Sequence, residues 1–156
     1  MTFKRPESVL VVLYNEHNQV LVLQRMDDAN FWQSVTGTME GNEAPIQTAV
    51  REVLEETGID LSLERSEAGG FLHHLMDCRQ VNQYSIREEW RYRYPPGVDK
   101  NFEYVFCAQV PAIAQITLTE HTDYLWLDKP QAIAKVWSST NKQAIKQFVP
   151  TLSNNV

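Results

Sequence analysis

One stretch constrains this chain more than any other, the run GTMEGNEAPIQTAVREVLEETGI over residues 37–59. Gly37 and Gly41 precede Pro45, and Gly58 follows Thr57. Proline suits the first turn of a helix, where its missing N–H leaves no bond unmade. A glycine just past the last turn supplies a left-handed cap. The run therefore reads as a glycine loop feeding a helix over residues 46–57. Ile46, Ala49, Val50 and Val53 recur at i, i+3, i+4 and i+7, which predicts the buried stripe. Glu52, Glu55 and Glu56 share an arc beside that stripe.

That arc asks for an explanation. Like charges at i, i+3 and i+4 repel one another. They also sit toward the helix C-terminus, where the macrodipole disfavours anions. A hard divalent cation such as Mg²⁺ takes oxygen ligands, shares substrate phosphates and turns both penalties into ligation. The competing reading is a solvated acidic face closed by ordinary ion pairs, and REVLEE alone is compatible with it. The fixed offsets of Gly37, Glu43 and Arg51 are far more demanding.

The pattern Gly37-x5-Glu43-x7-Arg51-Glu52-Val53-x-Glu55-Glu56-x-Gly58-Ile59 resembles the complete Nudix box, over 23 of 156 residues. The resemblance implies a Nudix hydrolase, which cleaves a nucleoside diphosphate linked to another moiety using Mg²⁺ or Mn²⁺. It implies the α/β Nudix fold, a mixed β-sheet sandwiched between α-helices with a loop-helix-loop catalytic motif. In that family the glutamates matching Glu52, Glu55 and Glu56 hold metal. The one matching Glu43 supports the loop with Gly37, commonly by pairing with the arginine matching Arg51.

The resemblance extends beyond the box. Lys4-Arg5-Pro6, Leu23-Gln24-Arg25, the run FWQSVTG from Phe31 to Gly37, RYRYPPGV from Arg91 to Val98, Thr119-Glu120-His121 and NKQAIKQFV from Asn141 to Val149 resemble the branch acting on a pterin triphosphate in folate synthesis. This implies a cut between the α and β phosphates. It also implies a further carboxylate, Glu120, as metal ligand or general base, and a substrate contact from Ser138. Lys4 and Arg25 are lone cations at strand ends, a position usually solvated. Beside a metal–polyphosphate site they become candidate contacts to phosphate or ring. Thr36, adjacent to Gly37, is a candidate for the same reason. The rival substrate is an ordinary or oxidised nucleoside triphosphate. A non-catalytic binding module is disfavoured, because no box carboxylate is lost.

Composition bounds the partners. The 156 residues fit one domain, and a 43% apolar share supports a core. The net charge of −6, from 14 basic and 20 acidic residues with no dense Lys/Arg run, argues against a nucleic-acid partner. An acidic protein acting on a polyphosphate must cancel charge locally, through metal and a few placed cations. Cys78 and Cys107 are the only cysteines, and no secretory signal is evident, which predicts a cytoplasmic setting. The apolar run from Val9 to Tyr14 is too short to span a bilayer, so no membrane partner is expected. Nothing in the sequence fixes an oligomeric state.

Taken in order, Glu7 to Tyr14 predicts a buried strand and Gln19 to Arg25 a second, joined as a hairpin. Phe31 and Trp32 are read as packing under the loop, with stacking on a substrate ring as the sharper alternative. After the box, Ile59 to Leu63 and Phe71 to Arg79 predict strands split by a turn over residues 66–70. His73 and His74 would then point to opposite faces, in structural roles. Tyr84 to Tyr94 predicts another strand, and Pro95-Pro96-Gly97 a break. Asn101 to Val110 alternates, with Glu103 inside it, so this carboxylate lies either at an edge or in a site. Residues 117–121 read as a loop and Tyr124 to Leu127 as a short strand. Asp128 and Pro130 predict a helix start. A last helix opens at Ser138 to Asn141 and buries Ala144, Ile145, Phe148 and Val149.

Overall fold

The continuous apolar run of Glu7–Tyr14 becomes the central strand β1, because both its faces are covered. In this computed structural model, residues 2–62 and 74–151 are described. The other strands are β2 (Gln19–Arg25), β3 (Trp32–Gln33), β4 (Val35–Thr38), β5 (His74–Ser85), β6 (Lys100–Gln109) and β7 (His121–Asp128). The helices are α1 (Pro45–Thr57), α2 (Lys129–Lys135) and α3 (Ser139–Phe148). Together the strands form one mixed sheet. β1 runs parallel to β6 and antiparallel to β2 and β4. The alternation of side chains then sorts the core. Val9, Val11, Leu13, Phe106 and Ala108 pack with Ala49 and Val53 of α1. Leu10, Val12, Val105 and Cys107 pack with Ala132, Ala144 and Ile145 of α2 and α3. The sheet is thus sandwiched between helices.

The sheet also splays. β1 and β2 meet through Tyr14↔Val20 beside their turn. β1 then pairs with β4 from Ser8↔Thr38 to Val11↔Val35, whereas β2 pairs with β3 and β7. Ser34 crosses from β3 to β4. Its N–H donates to Asn141 Oδ1 at 2.8 Å, and Asn141 Nδ2 donates to its Oγ at 2.9 Å. Both residues are buried, so this reciprocal pair fixes β4 against the start of α3.

Several expectations need correction. Ile46 is 50% exposed, because α1 turns Glu52 and Glu56 inward together with Ala49 and Val53. Ile59 and Leu61 are buried but form no strand, and Leu61 and Ser62 lie in a turn. His73 and the expected turn over residues 66–70 lie outside the described residues. Only Tyr84 and Ser85 of the expected Tyr84–Tyr94 strand belong to β5. The ladder ends at Ser85↔Lys100, where β6 begins, and Glu88–Arg93 winds into a 3₁₀ helix. β7 is longer than its apolar core because β2 pairs with it from Asp128 back to His121. Asp128 holds the N-cap position of α2 but makes no capping bond with its side chain. No described helix is long and apolar enough to cross a membrane.

Candidate active site

The loop before α1 is organised by one bidentate pair. Arg51 donates from Nε to Glu43 Oε2 at 2.7 Å and from Nη2 to Glu43 Oε1 at 2.8 Å. Nη2 also reaches the Thr38 carbonyl at 3.1 Å. Glu43 Oε1 accepts from the Glu40 N–H and the Thr48 hydroxyl, each at 2.9 Å. The arginine above all, with these donors, holds the Glu43 carboxyl at about 2. Two further contacts of the guanidinium face the other glutamates. Nη1 donates to Glu52 Oε1 at 2.8 Å and Glu55 Oε2 at 3.3 Å.

Glu52 comes so close to β4 that only glycine fits opposite it. A Cβ on Gly37 would lie 2.1 Å from Glu52 Cδ. Glu56 is deeper still, 2% exposed, and neither carboxylate oxygen has a well-aligned donor, only a loose approach from the Thr36 backbone and from His121. Burial first, then the Glu52 carboxyl, then the charge of Glu120 push Glu56 up to about 10. Burial likewise raises Glu52. Glu55 and Glu120 are exposed. The Thr119 hydroxyl donates to the Glu55 carbonyl at 2.7 Å, which ties the Glu120 loop to α1. His121 is a neighbour that sequence reasoning missed. Its Nε2 lies 3.7 Å from Glu56 Oε1 and 3.2 Å from Gln33 Nε2, its buried Nδ1 has no partner, and burial lowers its pKa.

Among the described residues no three acidic, His or Cys side chains stand ready around one point, because Arg51 occupies Glu52 and Glu55. The donor chemistry nonetheless fits a hard divalent cation. Two buried carboxylate oxygens on Glu56 without a well-aligned donor, beside Glu52, are a costly arrangement that a cation relieves.

A cavity of about 590 Å³ opens on the other side of β4, within the range of small-molecule sites. Its wall is a run of stacked planar groups. The Arg25 guanidinium lies 4.8 Å from the Phe31 ring, and Phe31 stacks on Trp137 at 4.7 Å. The Arg87 guanidinium lies 5.1 Å from Trp137 and 5.0 Å from Trp90. Trp137 and Trp90 are 53% and 38% exposed, so their faces are open to a ligand in the cavity. The floor is polar and buried, with Asn101 3% and Glu103 6% exposed. Glu103 Oε1 accepts from Asn82 Nδ2 at 3.1 Å, and burial raises its pKa despite that bond and one from Thr140. Four of the chain's 14 basic residues, Lys4, Arg25, Arg87 and Arg93, line this one cavity, a lining that suits an anionic ligand.

The structure brings Lys4, Arg25, Thr36 and Ser138 to that cavity. Arg25 is held by Asp27 through bonds of 2.8 and 2.7 Å. Ser138 Oγ accepts the Asn141 N–H at 3.1 Å, so this hydroxyl caps α3 as well as facing the cavity. Phe31 and Trp32 part company, for Trp32 is core and Phe31 is wall. Arg87, Trp90 and Trp137 carried no local signal in the sequence. Glu103 did, since an acid in an alternating strand stood out, and its burial on the inner strand β6 settles that it is not an edge residue.

The chain matches the NUDIX domain family over residues 4–148. It is 47% identical over 148 residues to the dihydroneopterin triphosphate diphosphatase of Escherichia coli, covering 94% of each chain. Against the protein of that name from Haemophilus influenzae the identity is 40% over 150 residues, covering 96% of this chain and 90% of the relative. The solved structure of the Escherichia coli dihydroneopterin triphosphate pyrophosphohydrolase superposes with a TM-score of 0.82 at 46% identity, covering 96% of this chain and 98% of that one.

Proposed function

The chain belongs to the Nudix family, and from that premise we propose that it hydrolyses dihydroneopterin triphosphate to dihydroneopterin monophosphate and pyrophosphate, a step of folate synthesis. One observation carries this reading. Thr36 and Thr38 line the aromatic cavity, and Gly37 between them abuts Glu52. A ring in the cavity therefore needs only to lay its phosphate chain across β4 to meet the carboxylates of α1.

Glu52, Glu55, Glu56 and Glu120 would hold Mg²⁺, or Mn²⁺ in its place. Such an ion neutralises phosphate oxygens and acidifies a water. The protein's own groups do the rest. Arg51 keeps Glu52 and Glu55 together and, through Glu43 and the Thr38 carbonyl, fixes the loop they face. Lys4 and Arg25 meet the phosphate next to the ring, and Thr36 and Ser138 add hydrogen bonds. Glu120, exposed to water and near enough to raise Glu56, completes that set, and a carboxylate of the set not engaged by the ion takes the proton of the attacking water. A substrate anchored at ring and phosphates presents one phosphorus in line, which makes the attack effectively intramolecular. Two free cysteines suit a reducing cytoplasm.

A purine nucleoside triphosphate is the second reading, since the aromatic wall also suits a purine. Pyrophosphate release measured with Mg²⁺ across dihydroneopterin triphosphate, dGTP, 8-oxo-dGTP and ATP decides between them. The expected result is a kcat/KM for the pterin at least about 10-fold above any purine. A purine equal to or better than the pterin would overturn the assignment.

A further inference from the structure

Glu103 has a role that the hydrolysis does not require. It stands on β6 beside Asn101, on the sheet face opposite α1, at the floor of the aromatic cavity. A buried carboxylate is costly unless its lone pairs are met. Among the described residues two donors meet it, Asn82 and Thr140, against roughly four lone-pair sites on a carboxylate. The cavity it faces is walled by stacked planar groups and rimmed by cations, so a flat ring lying against that wall can turn an edge to the floor. The best partner for a carboxylate there is a pair of adjacent N–H donors, which it accepts side by side. In a 2-amino-4-oxo heterocycle, the ring N–H at position 3 and the 2-amino group form such a pair.

We propose that Glu103 is the specificity-determining residue of the cavity, accepting both N–H groups of a 2-amino-4-oxo ring edge. This rests on the reading above in that the ring's phosphate chain leads to α1. It goes further by stating which rings are admitted. Pterins and guanine carry this edge, whereas adenine lacks it. Hypoxanthine loses the amino group, and a 2,4-dioxo pteridine sets an oxygen against the carboxylate.

The full-length protein tests this without metal or turnover. Trp90 and Trp137 on the wall report binding through their fluorescence. Neopterin should bind at least about 30-fold more tightly than its 2-oxo counterpart, in which a lumazine ring carries the same side chain. Glu103→Gln should reverse the order, because the amide can donate to the 2-oxo group while still accepting from the neighbouring N–H. In turnover, Glu103→Gln should bring the kcat/KM ratio of GTP to ITP close to one. Equal affinity of the wild type for the two pteridines overturns the proposal, whether or not the variant folds. So does a Gln variant that weakens GTP and ITP alike. A wild type that discriminates in binding but releases no pyrophosphate contradicts the hydrolase reading and leaves the ring site standing.

Discussion

Glu56 and Glu103 are both carboxylates taken out of water, on opposite faces of one sheet. Glu56, on α1, is 2% exposed and has no well-aligned donor for either oxygen, with His121 Nε2 3.7 Å away. Glu103, on β6, is 6% exposed and accepts from Asn82. The difference separates two ways of using a buried charge. A carboxylate without a well-aligned donor and surrounded by others suits a cation, which can approach along any lone pair. A carboxylate held by protein donors has a fixed plane and can read the edge of a flat ligand. On the proposed reading, reaction and recognition would be carried by different acids, on opposite faces of the sheet.

The comparison breaks most sharply at Glu56. Glu56→Gln preserves shape but removes a charge from the proposed metal set. It should lower kcat by more than about 100-fold, beyond what losing an outer partner of a metal ligand costs. Ring binding should be unchanged. Near-wild-type turnover at saturating Mg²⁺ would remove Glu56 from the ligand set.

Gly37 tests the junction. The added Cβ of Gly37→Ala falls on Glu52, so the side chain must move, and a shift of about 1 Å in a reacting group costs roughly 100-fold in kcat. Neopterin fluorescence titrations should be unaffected. A loss of ring affinity instead would place the damage in the cavity.

Glu43 sharpens the distinction between ligation and support. Glu43→Gln leaves one good acceptor for Arg51 and should cost about 10-fold in kcat, less than Glu56→Gln. The reverse ranking in matched assays contradicts the division of roles. The same pair makes a smaller, purely structural prediction. The Glu43 carboxyl sits at about 2 against an ordinary 4.5. A lowered folded pKa gives stability that is full above the ordinary value and is lost as pH falls through the lowered one. The Tm difference between wild type and Glu43→Gln should therefore shrink as pH drops from 4.5 toward 2. A difference constant over that window would mean the ion pair contributes nothing.

How much of this was legible in the sequence follows from how far each feature reaches along the chain. The box is local, so its glycine cap, its helix and the Glu43–Arg51 pairing could be read within 23 residues. The inward turn of Glu52 and Glu56 could not, because apolar periodicity assigns charged residues to solvent. Ile46 was misplaced for that reason. The cavity is assembled from distant pieces. Phe31 follows β2, Arg87 and Trp90 come from the 3₁₀ segment, Trp137 from the α2–α3 link and Glu103 from β6. No short-range spacing marks such a set. The segment Ile59 to Leu63 misled because alternation of buried Ile59 and Leu61 mimics a strand, whereas the chain there turns.

The account's central claim is that a ring held in the cavity sends its phosphates across β4 and offers the α phosphorus to water. Hydrolysis of dihydroneopterin triphosphate in ¹⁸O-labelled water tests it most directly. The prediction is intact, unlabelled pyrophosphate, with the label in dihydroneopterin monophosphate. Label in pyrophosphate would place the attack at the β phosphorus and contradict the proposed anchoring. Labelled orthophosphate with no pyrophosphate would contradict the reaction itself.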